Sequence, residues 1–69
     1  MVTKALEAII KENIQKIESL PDGSFEKERK LGGIRLLNEA CEKLSNPYND
    51  RNEIDRLITR GLTLIYGEQ

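Results

Sequence analysis

Residues 29–41, RKLGGIRLLNEAC, decide the fold, because two adjacent glycines stand inside a stretch that otherwise has helical spacing. From Gly33 onward the periodicity is regular: Gly33, Leu37, Ala40 and Leu44 fall on one line of a helix, flanked by Ile34, Leu36 and Cys41. Upstream it is irregular. On the same projection Glu26, Arg29 and Lys30 fall on the core side while Leu31 points away, so the first two turns either overhang the other helices or meet a bend at the glycines.

Three roles are open to Gly32-Gly33. A phosphate-cradling loop follows a strand and presents a lysine with serine or threonine at a helix start, whereas here no strand precedes and Ile34-Arg35-Leu36-Leu37 follows. A hinge would suit the irregular spacing upstream, since a mid-helix glycine costs about 1 kcal/mol against alanine. Close packing would suit the position of Gly33 in line with Leu37 and Ala40, with Gly61 on the central line of a later helix. The expectation is close packing at Gly33, with Gly32 permitting a local bend.

Working outward, the spacing predicts helices over about 3–20, 25–45 and 51–66. In the first, Val2, Leu6, Ile9, Ile10, Ile14, Ile17 and Leu20 recur at steps of three and four, and Pro21 ends the run. In the second, Ser24 is placed to cap, and Glu26 and Glu28 complement the positive end of the helix. In the third, Asp50 with Glu53 has the spacing of a capping box, and Ile54, Leu57, Ile58, Gly61, Leu64 and Ile65 share a face that Gly67 closes. Short turns join antiparallel neighbours. The expected fold is all-α, a single domain over residues 1–69 with three helices running up-down-up.

Size and composition narrow the function classes. A chain of 69 residues buries only about 60% of its unfolded surface, so its core is thin and self-association would add stability. There is one cysteine and no histidine, which excludes an intrachain disulfide and the usual catalytic base. Net charge is −1, without the basic excess of a dedicated nucleic-acid binder, so nucleic acid is not expected as the partner. No run approaches the roughly 18 apolar residues of a membrane span. The N-terminal MVTKALEAIIKEN carries charges through its apolar positions, unlike a signal peptide. With one free thiol, the cytoplasm is the expected compartment.

Candidate sites are few. Cys41 sits at helical spacing with Leu37 and Leu44, as a small buried hydrophobe would. The acidic residues scatter beside lysines and arginines, and no catalytic, cofactor or metal constellation is expected. Asn13 lies in the middle of the first helix's apolar stripe, between Ile9, Ile10 and Ile17. It would either set the register of a self-associating interface or be solvated at an open end of the bundle. Phe25, Leu31, Tyr48 and Tyr66 are the apolar residues least explained by the core stripes, and Arg56 and Arg60 form an i, i+4 pair on the outer face of the third helix. These six are the expected partner contacts, since interfaces favour aromatics and arginine. Asn13, Phe25 and Leu31 are the residues expected to build a homodimer.

The segment IESLPDGSFEKERKLGGIRLLNEACEKL, residues 17–44, resembles helix–LPDGS–helix hairpins in small proteins encoded by bacteriophages and mobile elements of Gram-positive bacteria. The resemblance rests on a turn and an alternation of charge, and it carries no catalytic or ligand residue. The residues lead to the expectation of a non-enzymatic protein-binding module, and the resemblance implies a short protein that acts by binding a host protein, as an inhibitor or adaptor. The alternative is a small DNA-associated transcriptional regulator, with Arg56, Thr59, Arg60 and Thr63 of the third helix set in a major groove.

Overall fold

Side chains that satisfy free backbone groups set the helix limits, and these lie close to the turns marked in the sequence. The structure, a computed structural model, describes residues 2–67. Among the described residues are three helices, α1 (Val2–Glu18), α2 (Phe25–Leu44) and α3 (Arg51–Tyr66), and no strand. The fold is all-α, as expected. α1 ends two residues earlier than its apolar stripe: Ser19 N–H and Leu20 N–H turn back to the carbonyls of Lys16 and Ile17 at 3.3 and 3.0 Å, tightening the last turn ahead of Pro21.

Ser24 caps α2, its Oγ accepting from Lys27 N–H at 3.1 Å, after a turn in which Gly23 takes a φ of +79°. Lys27 braces the same turn, pairing with Asp22 and donating to the Leu20 carbonyl at 3.4 Å. Asp50 caps α3 by accepting from Asn52 N–H at 2.9 Å. The expected capping box is not closed. Glu53 instead meets Lys43 Nζ at 3.0 Å, a charged partner across the helix pair in place of a backbone amide on its own helix. At the far end Gly67, with a φ of +81°, donates its N–H to the Thr63 carbonyl at 2.7 Å.

α2 runs through Gly32-Gly33 as one uninterrupted α-helix, so the glycines do not break it. Gly33 and Gly61 instead form the seam with α3. A Cβ at Gly33 would lie 2.7 Å from the Gly61 carbonyl oxygen and 2.8 Å from Ile65 Cγ1, and a Cβ at Gly61 would lie 3.0 Å from the Gly33 carbonyl oxygen. Backbone therefore touches backbone, which only glycine allows. With Lys43 opposite Glu53 two to three turns on, the pair lies antiparallel and in register.

The core is aliphatic. Leu6, Ile10 and Ile17 of α1 meet Ile34 and Leu37 of α2 and Ile65 of α3, and Ala40 and Ile54 are buried as well. Each large side chain withdrawn from water stabilises the fold by about 1.5–3 kcal/mol. α2 is the central helix, packed along most of its length against α3 and less extensively against α1, in a molecule measuring 39 × 20 × 20 Å.

The α2–α3 seam has two apolar flanks. On one, Cys41, Ile58 and Leu62 pack against the core cluster that α1 completes. On the other stand Leu36, Leu57 and Leu64, half-buried and outside the set that packs on that cluster. Leu31 corrects the sequence reading. Expected to point outward, it packs against the core, because α1 lies far enough round α2 to widen the apolar arc beyond the Gly33–Leu44 line. Of the charged residues expected on the core side, Glu26 is exposed, while Arg29 and Lys30 are half-buried. Lys30 reaches Glu26 at 3.3 Å, its aliphatic stem lying along the helix.

Candidate interaction surface

The three aromatic side chains of this protein all lie at its surface. Phe25, at the first position of α2, is 82% exposed; Tyr48, in the α2–α3 turn, is 92% exposed; Tyr66, at the end of α3, is 56% exposed. For Phe25 the cause is the overhang anticipated from the irregular spacing. Opposite Gly33 stand Gly61 and Ile65, so α3 ends before it reaches the first turn of α2. Phe25 and Tyr48 stand at opposite ends of α2, a helix about 30 Å long, so no single small contact includes both.

Tyr66 has a second role that the sequence did not disclose. Its hydroxyl oxygen lies 3.0 Å from Asn13 Nδ2, which also donates to the Ile9 carbonyl at 2.8 Å. A carbonyl can only accept, so the Ile9 bond fixes which end of the Asn13 amide faces it. Asn13 is 6% exposed, and its amide nitrogen is satisfied within the chain, without a symmetry mate. Asn13 and Leu31 are thus both occupied inside the chain, and of the three residues expected to build a homodimer only Phe25 stays free. The signal available beforehand was an amide on an apolar stripe, which requires a partner; nothing local names Tyr66, 53 positions away.

Arg56 and Arg60 are exposed on the outer face of α3, where with Asp55 and Thr59 they border a shallow depression. Among the described residues neither arginine is in an ion pair, whereas Lys16, Lys27, Lys30 and Lys43 each have an acidic partner. Unpaired guanidinium groups are available to carboxylates or phosphates. Two pairs shift titration. The hydrogen bond from Lys27, together with its charge, holds the Asp22 carboxyl below the usual carboxylate range. The hydrogen bond to Glu53 holds the Lys43 ammonium above its usual range.

Cys41 is half-buried, and desolvation, with a further contribution from the Glu7 carboxylate, raises its thiol above the ordinary range. That is the reverse of an activated nucleophile. Among the described residues no group of three or more histidine, cysteine or acidic side chains could hold a metal ion, and no helix is long and apolar enough to cross a membrane. Comparison with protein-family models, with curated proteins and with solved structures finds no match for this chain.

Proposed function

We propose that this chain is a non-enzymatic protein-binding module acting in the cytoplasm. The observation that carries the proposal is the exposure of every aromatic side chain around a wholly aliphatic core. Aromatics contribute most when buried, and a surface that displays them and also carries unpaired arginines has the composition of an interface. The resemblance of residues 17–44 to phage and mobile-element hairpins supports an inhibitor or adaptor directed at a host protein. The contact residues proposed are Tyr48, Arg56 and Arg60; Phe25, at the other end of α2, and the open side of Tyr66 belong to a separate contact.

The competing function is a DNA-associated regulator that reads a major groove with α3. Arg56, Thr59 and Arg60 are exposed on that helix, and this favours it. Asp55 lies in their midst, and α2 and α3 lie side by side in register, not at the 90–120° or so of a helix-turn-helix.

Affinity capture from a Gram-positive host lysate, followed by titration with the purified captured protein, separates the two. One host protein should bind, and binding should be lost in both Tyr48→Ala and the double variant Arg56→Glu/Arg60→Glu. Capture of nothing above control, or binding indifferent to both variants, sinks the proposal. Binding to duplex DNA should stay at non-specific strength, about 10⁻⁴ to 10⁻⁶ M at physiological salt; a nanomolar, salt-sensitive complex would put the regulator first.

A further inference from the structure

The three helices use the one-turn spacing differently. On α1 and α2 it joins opposite charges, Glu12 to Lys16 at 3.2 Å and Glu26 to Lys30 at 3.3 Å. On α3 it joins like charges, Arg56 and Arg60, both exposed and in no ion pair among the described residues. The helix itself supplies no relief. Of the residues three or four positions from either arginine, Glu53 is the one acid, and Lys43 takes it at 3.0 Å. Asp55 adjoins Arg56 in the chain, a spacing at which helical side chains do not face each other. Like charges one turn apart destabilise a helix, so this pair carries a repulsion that an incoming anion would remove.

We infer that Arg56 and Arg60 receive two carboxylates set one turn apart on a helical segment of the protein partner. The inference rests on the reading of the chain as a protein-binding module, and it names the chemistry that α3 meets. Spacing is the first support. Side chains four apart on a helix have Cβ atoms about 5–6 Å apart, so two acids at the same spacing on another helix match the arginines one to one. The kind of cation is the second. Every cation in an ion pair among the described residues is a lysine, whereas this pair is arginine, whose planar fork meets both oxygens of a carboxylate. The third is Asp55, which borders the same shallow depression with Arg56, Thr59 and Arg60. It decides between anions. A duplex brings a continuous row of phosphates and would set one against that carboxylate, whereas a partner helix with two acids can place a neutral or basic residue there.

The experiment is a nuclear magnetic resonance titration of the isotope-labelled full chain with a capped, alanine-based helical peptide carrying two glutamates four residues apart. The wild type should show saturable shifts at the Nε–H signals of Arg56 and Arg60 and at the amides around Thr59. The same peptide with glutamines in place of both acids should bind at least about tenfold more weakly, the loss expected when charge-assisted hydrogen bonds are removed. Arg56→Lys/Arg60→Lys keeps both charges and should still weaken binding, because the fork is gone. Arg56→Gln/Arg60→Gln should abolish it. These positions are exposed, and the wild-type titration decides the matter if either variant loses helicity by circular dichroism. Arg35 and Arg51, exposed and likewise in no ion pair among the described residues, serve as internal controls. Shifts spread equally over all four arginines would mean attraction by charge alone and would overturn the inference. So would the absence of saturable shifts at the pair, or binding unchanged in the lysine variant. Inorganic phosphate or duplex DNA binding there as tightly as the peptide would overturn it too. The result is separable from capture of a host protein. If the peptide fails while capture still depends on Arg56 and Arg60, only the carboxylate pair is lost; if the peptide binds and the lysate yields nothing, only the proposed function is lost.

Discussion

The carbonyl oxygen of Gly61 occupies the space where a side chain at Gly33 would begin, 2.7 Å from the position of its Cβ. This contact fixes how closely α2 and α3 approach. It turns the adjacent glycines into a controlled pair, since Gly32 meets nothing nearer than 4.0 Å.

Gly33→Ala should destabilise the fold by about 1–3 kcal/mol, because the obstructing atom is backbone and cannot rotate away. Gly32→Ala should stabilise it by about 0.5–1 kcal/mol, through the better helix propensity of alanine. Urea unfolding of the two variants measures both. Effects of the same sign would remove the seam as the reason for Gly33.

Asn13 and Tyr66 tie α1 to α3. Tyr66→Phe should cost about 1 kcal/mol or less, because water can reach the half-open ring edge and take over part of the lost bond. Asn13→Asp should cost about 3 kcal/mol or more at neutral pH, because it aims a buried carboxylate at the Ile9 carbonyl. Burial raises the folded-state pKa of that carboxyl above its unfolded value, so the penalty should shrink as pH falls. Thermal unfolding of Asn13→Asp between neutral and acid pH checks the sign; a penalty independent of pH would contradict the buried charge.

The two shifted ion pairs act at opposite ends of the pH scale. Asp22 has a depressed folded-state pKa, so its contribution is present above the unfolded value and is lost as pH falls through the folded one. Lys43 has a raised folded-state pKa, so its contribution is present below the unfolded value and is lost as pH rises through the folded one. Asp22→Asn should flatten the acid limb of the stability profile and Glu53→Gln the alkaline limb. Both effects should be small, since these are exposed pairs. Unchanged limbs in both variants would show that the pairs do not persist in solution.

Cys41 should react with iodoacetamide more slowly than a free cysteine at neutral pH, because its thiol ionises later. The unfolded thiol loses its proton first, so stability should decline as pH rises past about 8.5, and Cys41→Ser should lack that component. Rapid alkylation of the folded chain would contradict the half-buried placement.

Much of this protein was settled by the sequence alone, and the reason is locality. The helix limits, the caps at Ser24, Asp50 and Gly67, and the placement of Gly33 on a packed line depend on residues within a turn or two of one another. The failure of period before Gly33 was visible in the same way, but it left an overhang and a bend at the glycines equally open, and the exposure of Phe25 on a continuous α2 favours the overhang. What the sequence left open depends on where one helix stands about another. Leu31 is a core residue only because α1 lies on its side of α2. Glu53 leaves its capping box only because Lys43 comes opposite it. Asn13 is satisfied only because the chain returns Tyr66 to it from 53 residues away. The flank of the seam away from α1 was equally hidden. A helical period says that Leu36, Leu57 and Leu64 are apolar and aligned, but only the tertiary structure decides that α1 covers the other side of the seam and leaves theirs open.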